Sequence, residues 1–431
     1  MLKINPLSTL YVGIDVSSKS NYVCALDFFK NKYINSSFAN NQPGAEELAL
    51  KILECLKEHP DITTIVAALE STSVYSIHIA NYLSSCEELM RFKPYVFVLN
   101  PKCTANYKKS YIVLGKSDPI DAFVIADYAR AGNIESEPWR GSQFLALKRL
   151  TRHRLHLVEC MTREKTYLIS NLYLKFSELQ MLEGDDQPFC DIYGATSSSV
   201  LMEYFSPEEI LDSSEEDLIA FLAKKSRNRI KDISKTADLL KKAARDSYRL
   251  DKALYEPLNG SIASSFNCIE TFKREIKVID NAIEKEIKGL NPNAFIILQS
   301  IDGIGPVFAG GIIAEIGDIT AFHSSDALAK YAGLTWKSNQ SGDFDGEDTP
   351  MIKAGNRYLR YYLGEAANSM RKHNVEYGAY YRKKYNEVPK HQHKRALSLT
   401  SRKFVRLVYG LLAKNQLYSG VSLDTSIKDS N

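Results

Sequence analysis

The run Tyr11-Val12-Gly13-Ile14 ends in a carboxylate, Asp15. Such a run reads as a buried strand, and an acid placed at its end is costly unless it is paired or holds a metal. The pattern recurs at Ile65-Val66-Ala67-Ala68-Leu69, which ends in Glu70. Asp118 and Asp121 supply two more acids in Lys116-Ser117-Asp118-Pro119-Ile120-Asp121. That segment has the residues of a helix start, and the spacing of three sets both carboxylates on one helix face. Oxygen ligands drawn from two strand ends and a helix suit hard divalent cations such as Mg²⁺. A pair of such ions promotes in-line attack at phosphorus. Each acid alone has a plainer reading: Asp118 before Pro119 is a good helix cap, Asp121 suits a helix dipole, and Glu70 can open the next helix. Asp15 has no such explanation, and jointly the four favour a metal site.

The surrounding pattern fits that placement. Residues 8–135 read as α/β, with strands at Leu10–Val16, Tyr22–Phe29, Tyr33–Phe38, Thr63–Leu69 and Tyr95–Leu99. Helices are expected at Gly44–Lys57 and Val74–Leu83. Three hairpin-linked strands followed by alternating helix and strand is the order of an RNase H-like (RuvC-like) domain, whose acids belong at the strand ends.

Beyond it the period changes. Residues 143–290 read as long helices of coiled-coil character, interrupted at about 177–255 by a small helical insertion. Leu147, Leu150, Leu157, Met161, Leu168 and Leu172 form an apolar stripe, with Arg149, Arg152, His156 and Arg163 on another face. That basic face suits either solvent or phosphate. The run Ile262, Phe266, Ile269, Phe272, Ile276, Ile279, Ile283, Ile287 forms a seam for the first long helix or for another subunit. Residues 292–420 read as a helical C-terminal domain opening on Ile301-Asp302-Gly303-Ile304-Gly305-Pro306, a helix-hairpin-helix-like turn. The amides of Gly303 and Gly305 can face a phosphate there, or the turn can serve close packing alone. Lys353, Arg357 and Arg360 lead into a basic, aromatic stretch suited to nucleic-acid contact, against the plainer reading of a solvated helix. Residues 424–431 are expected to be disordered. The fold class is thus α/β plus all-α.

Composition excludes several classes. With 431 residues and 44% hydrophobic content, the chain can bury large cores, and its length suggests two or three domains. The net charge of +3 is too small to name a partner. Seven scattered cysteines without a C-x-x-C pair argue against a disulfide framework or a zinc site, and for a reducing compartment. No signal-peptide pattern or membrane-length apolar run occurs, so no membrane partner and a cytoplasmic location are expected.

Specific motifs carry a resemblance. Gly13-Ile14-Asp15, Leu69-Glu70-Ser71-Thr72-Ser73-Val74-Tyr75, Asn100-Pro101 and Lys116-Ser117-Asp118-Pro119-Ile120-Asp121-Ala122 lie in the first part of the chain. Gly303-Ile304-Gly305-Pro306, Tyr331-Ala332-Gly333-Leu334-Thr335, Ser341-Gly342, Lys353-Ala354-Gly355-Asn356 and Leu359-Arg360 lie in the last. In this order and spacing they resemble the DEDD transposases of the insertion-sequence 110 family, recombinases of bacterial mobile elements. The resemblance implies that Asp15, Glu70, Asp118 and Asp121 hold Mg²⁺, as two ions with Mn²⁺ as a substitute, and that a serine attacks DNA. The matching serine is Ser341, with Ser338 a nearby rival. The resemblance also implies double-stranded DNA at element ends and target, a bridge RNA, a homodimer or tetramer completing the site between subunits, and association with the bacterial nucleoid. Nothing is carried over to residues 177–255. The readings left beside it are a pilin-type DNA invertase, a RuvC-like junction nuclease using water, and a non-catalytic nucleic-acid-binding protein.

Overall fold

The computed structural model describes residues 4–71, 73–111, 115, 117–134, 138–139, 141–336, 340–341, 344–345 and 351–420; for Ser142, Gln340, Ser341, Phe344 and Asp345 it describes the backbone alone. The expected tail at 424–431 lies outside these residues. The chain divides into two compact units. One comprises Met1–Ala146, Ile316–Lys330 and Val405–Lys414, the other Leu147–Glu315, Tyr331–Phe404 and Asn415–Asn431.

The first unit is built on five strands, β1 (Thr9–Val16), β2 (Ser20–Leu26), β3 (Lys32–Ala39), β4 (Thr64–Glu70) and β5 (Pro94–Leu99), in the order β3-β2-β1-β4-β5. The first three pair antiparallel; β1, β4 and β5 run parallel. Helices α1 (Gln42–Glu58), α2 (Ser76–Ser85) and α3 (Glu87–Met90) precede β5, and α4 (Pro101–Lys108) and α5 (Asp118–Arg130) follow it. The expected strands and helices are all present within a few residues. The structure adds α4, which opens at Asn100-Pro101. Asn100 caps it by accepting a hydrogen bond from the Lys102 amide at 3.0 Å, and Pro101 occupies the first turn, where its missing N–H is harmless.

Alternation along the strands sorts the core into two layers. Leu10, Val12, Ile14 and Val16 of β1 and Ile65, Ala67 and Leu69 of β4 join Leu48, Ile52, Ile79 and Leu83 of α1 and α2. Tyr11 of β1 and Val66 and Ala68 of β4 join Ala122, Ile125 and Ala126 of α5. With a period of two, Asp15 and Glu70 share the α5 side of the sheet. Gly13 lies on that same side, where α5 crosses β1 backbone to backbone. A Cβ at residue 13 would lie 2.2 Å from the Ala122 carbonyl oxygen and 2.3 Å from the Ala126 nitrogen.

The second unit is helical. The long helices α6 (Ser142–Lys175) and α11 (Lys252–Leu290) are joined by an ion pair between Arg154 and Asp280. Between them in sequence lie α7 (Ala195–Glu203), α8 (Pro207–Asp212), α9 (Glu215–Ser226) and α10 (Ile233–Asp246). Their buried Val200, Ile210, Leu222 and Leu240 pack with Leu168 and Leu172 of α6 and Ile262, Phe266 and Ile269 of α11. The isoleucine seam is therefore used, in its first half, inside this chain. Lys175 is fully buried there, its ammonium held by the carbonyls of Leu201 (2.8 Å) and Tyr204 (2.6 Å) and by Asn259 (2.6 Å). Burial pushes its pKa down to about 8.

Helices α12 (Pro292–Gln299) and α13 (Pro306–Ile316) flank the expected glycine turn; α14 (Ser325–Ala332) follows. The two-residue strands β6 (Thr335–Trp336), β7 (Gln340–Ser341), β8 (Phe344–Asp345) and β9 (Met351–Ile352) lead into α15 (Arg357–His373), α16 (Val375–Asn386) and α17 (Gln392–Lys414). All seven cysteines are free. Among the described residues no helix is long and apolar enough to cross a membrane.

Replacing Gly13 by alanine is expected to lower stability by about 2–3 kcal/mol, because the obstacles are backbone atoms of a buried helix rather than flexible side chains. An unfolding free energy from urea titration within about 0.5 kcal/mol of the parent would show that α5 does not depend on this contact.

Candidate active site

In the first unit, Ile14 pairs with Leu69 across the parallel β1–β4 ladder. One step further on each strand stand Asp15 and Glu70, side by side at the strand ends. Helix α5 carries Asp118 and Asp121 in its first turn, where the helix dipole favours them. The crossing at Gly13 brings that turn to the same end of the sheet. The four expected acids are therefore gathered into one electrostatic neighbourhood. The Asp15 carboxyl is pushed up to about 6, first by burial and then by the negative charges of Asp121, Asp118 and Glu70, against a smaller opposing pull from Lys108.

The acids are near one another without closing on a single point. Among the described residues no three His, Cys, Asp or Glu side chains are grouped as a ready metal cage. The positive charge at the cluster is instead the Lys108 ammonium, ion-paired with Asp121. Glu70 accepts a hydrogen bond from the buried Thr104 hydroxyl. Thr104 and Lys108 both belong to α4 and stand four apart, one turn above the other. The donor set fits a hard divalent cation: all oxygen, all acidic, and repelling one another in a way that a bound cation relieves.

Behind the cluster, α5 and the chain following α4 are tied to one buried acid, Asp127. It accepts from the Tyr107 hydroxyl (2.9 Å), the Tyr111 hydroxyl, Arg130 Nε (2.6 Å) and Lys30 (3.3 Å). These partners hold its carboxyl below the usual range, although burial alone would raise it. Tyr107 lies within α4 beside Lys108, so the network steadies the helix that meets the acids.

The serine lies in the other unit. Ser341 is on β7, paired with Phe344 of β8, and Ser338 lies outside the described residues. Its segment is framed by the β6–β9 ladder, where Thr335 pairs with Ile352 and Trp336 with Met351.

The nucleic-acid candidates have different surroundings. Arg149 and Lys353 are exposed, and Arg357, also exposed, pairs with Glu159 at 2.8 Å. Arg152 and Arg360 have internal tasks. Arg152 grips the buried Glu315 through two parallel bonds of 2.7 and 2.9 Å. Arg360 donates to the carbonyls of Ala332 (3.1 Å) and Lys353 (3.0 Å). A Cβ at Gly303 would press on Ser369 and His373 of α15 at 3.2–3.3 Å, whereas Gly305 faces open space. In the C-terminal stretch, Arg382, Lys383, Lys390 and Lys394 are exposed, while Lys403 lies over the rings of Tyr377 and Tyr380, 4.8 Å from each.

Sequence reasoning missed Thr104, Lys108, Asp127 and Glu315. The first two were within reach, since Asn100-Pro101 is a helix-start signal and a spacing of four defines one face. Nothing local marks Asp127 or Glu315.

Residues 12–177 match a family model described as a transposase, of the DEDD, IS110 type. Residues 296–382 match a second, described as the transposase IS116/IS110/IS902 family. The chain is 24% identical over 412 residues to the "Insertion element IS900 uncharacterized 42 kDa protein" of Mycobacterium paratuberculosis, covering 95% of this chain and 97% of that protein. It is 24% identical over 434 aligned positions to the "Insertion element IS116 uncharacterized 44.8 kDa protein" of Streptomyces clavuligerus, covering 95% and 96%. A "Pilin gene-inverting protein" of Moraxella lacunata is 27% identical over 160 residues, 37% of this chain and 46% of that protein.

The raised Asp15 carboxyl has a consequence for stability. The folded protein binds this proton more tightly than the unfolded chain. Its contribution therefore favours the fold fully below the ordinary carboxylate range and is lost as pH rises through about 6. In EDTA, Asp15→Asn is expected to be more stable than the parent at pH 7.5 by about 1 kcal/mol, a figure discounted because the group is partly exposed, and equal to it below the ordinary carboxylate range. Parallel melting curves for the two proteins across that range would refute the clustering of the acids.

Proposed function

The chain belongs to the insertion-sequence 110 family of transposases, and from that premise we propose that it excises and inserts a mobile element by Mg²⁺-dependent attack of Ser341 on DNA. The observation that carries this reading is the gathering of Asp15, Glu70, Asp118 and Asp121 at one end of β1 and β4, in the segment that matches the transposase model. The sheet order, with three antiparallel strands extended by two parallel ones, supports an RNase H-like architecture.

Asp15, Glu70, Asp118 and Asp121 would hold the ions, which supply charge stabilisation at the reacting phosphate and make a hydroxyl easier to deprotonate. Lys108 and Thr104 keep Asp121 and Glu70 aimed while no cation is bound. Ser341 forms a bond from its Oγ to phosphorus as one bond from phosphorus to a sugar oxygen breaks; the serine proton leaves, and the sugar oxygen departs as a hydroxyl. A hydroxyl from the partner strand then repeats the exchange and frees the serine. Each phosphodiester bond broken is replaced by another, so strands are exchanged without net hydrolysis. A serine hydroxyl is a weak nucleophile at neutral pH and needs such activation. Meeting of the acids and Ser341 between subunits of a dimer or tetramer belongs to this proposal.

Exposed Arg149, Lys353, Arg357, Arg382, Lys383, Lys390 and Lys394 would contact phosphates. The bridge RNA would pair with donor and target DNA while the protein reads helix shape and backbone, as in other RNA-guided systems. The family resemblance alone supports that partner.

A second reading, site-specific inversion, is favoured by the pilin gene-inverting relative. Relatives named as insertion-element proteins align along nearly the whole chain, and the inverting protein along about a third. Mobility therefore ranks first. Flanking DNA separates the two: a mobile element has defined ends in several copies, an invertase a neighbouring inverted pair.

Incubating the protein with co-purified RNA, Mg²⁺ and a duplex spanning a flank of the gene should yield a covalent protein–DNA adduct. Ser341→Ala should abolish it, and Asp15→Asn should reduce it by about 10³-fold or more. Cleavage by Ser341→Ala at the parent's rate, with no adduct, would mean that water is the nucleophile and would leave a junction-type nuclease.

A further inference from the structure

The buried Glu315 is used by nothing so far described. It closes α13, and its side chain is fully shielded from solvent. An ionised carboxylate in that position costs several kcal/mol unless both oxygens are satisfied. Here they are. Arg152 of α6 grips it with Nε on Oε1 at 2.7 Å and a terminal nitrogen on Oε2 at 2.9 Å, and Asn356 Nδ2 donates to Oε2 at 2.7 Å. Apolar residues of similar volume would stabilise such a site as well or better, so an ion pair here is weak evidence for stability and better evidence for a specified geometry.

Where the partners sit shows which geometry is specified. Asn356 caps α15, its Oδ1 accepting from the amides of Tyr358 (3.0 Å) and Leu359 (3.1 Å). Its own amide donates to the Tyr331 carbonyl at 2.7 Å, and its Nδ2 also reaches the Tyr331 hydroxyl at 3.3 Å. Gly355 presses on the same strand of chain: a Cβ there would lie 2.6 Å from the Gly333 nitrogen and from the Tyr331 carbonyl oxygen. Gly333 has φ +71°, a value that L side chains rarely adopt, and Arg360 bridges Ala332 and Lys353. The segment that carries Ser341 thus leaves at 331–336 and returns at 351–356 through one crossing, bolted by Asn356 to Glu315 and so to Arg152.

We propose that Glu315, Arg152 and Asn356 are positioning residues that form a clamp on the two feet of the serine segment, 331–336 and 351–356. In its bearing on catalysis the clamp rests on the reading of Ser341 as nucleophile; as a structural device it stands without it. The Tyr331-Ala332-Gly333 and Ala354-Gly355-Asn356 motifs are then the crossing itself. Holding the feet does not touch DNA. It fixes where the segment starts and ends, and a misplacement of about 1 Å at a reacting atom can cost about a hundredfold in rate.

The test uses the full chain and the variants Glu315→Gln, Arg152→Met and Arg152→Lys. Glu315→Gln keeps the shape and removes the charge; Arg152→Lys keeps the charge and loses the fork. Hydrogen–deuterium exchange is followed at residues 331–336 and 351–356, with α6 and α11 as internal references. Adduct formation is timed at saturating DNA, and DNA affinity is measured separately. The clamp predicts faster exchange at both feet by about tenfold or more, unchanged exchange in the references, adduct formation slowed about 10–100-fold, and DNA affinity within about twofold. Arg152→Lys should retain more activity than Arg152→Met. Unchanged exchange at the feet overturns the proposal, as does an equal rise throughout the unit, which would make the pair a general support. If the parent forms no Ser341 adduct, the nucleophile reading falls, and the exchange measurements alone decide whether the clamp exists.

Discussion

The first unit depends on the contact of α5 with β1 at Gly13. Ordinary helix-on-sheet packing keeps side chains between the two backbones, but here the Ala122 carbonyl and Ala126 amide meet the strand directly. Alanines at both helix positions make the approach possible from the other side. The helix dipole, the paired acids of its first turn and the two strand-end acids all meet because that distance is short. Desolvation and like-charge repulsion follow, and they raise the Asp15 carboxyl. Asp15 is therefore held beside like charges, an arrangement that a cation would relieve.

Each unit holds a buried ionic network centred on one carboxylate. Asp127 gathers two tyrosines, an arginine and a lysine around one carboxylate and thereby holds α4, which meets the acids. Glu315 gathers an arginine and an asparagine and thereby holds the feet of the serine segment. Both acids are fully satisfied and both are far in sequence from most of their partners. In each case polar groups are spent on geometry where an apolar core would have served stability equally well.

Much of the first unit was legible beforehand. The apolar runs that became β1 and β4 placed Asp15 and Glu70 at strand ends, and Lys116-Ser117-Asp118-Pro119 announced α5. The helix α4 was overlooked, although Asn100-Pro101 carries the cap and first-turn proline that start one. With it went Thr104 and Lys108, which touch two of the four acids. The stripe of arginines on α6 was legible as a face, but its division was not. Arg149 remains exposed while Arg152, three residues later, is drawn inward by Glu315, 163 positions along the chain.

The sequence by itself determined what depends on neighbours within a few residues: strand parity, helix starts, the glycine turn and the presence of the four acids. Those features follow from local stereochemistry, in which periods of 2 and 3.6 leave a readable mark. Tertiary structure alone decided which distant side chains meet: Lys108 with Asp121, Thr104 with Glu70, Arg152 with Glu315, and Gly355 with Gly333. These meetings depend on how separately specified elements pack, and a buried charge can be satisfied by many partners that look alike along the chain.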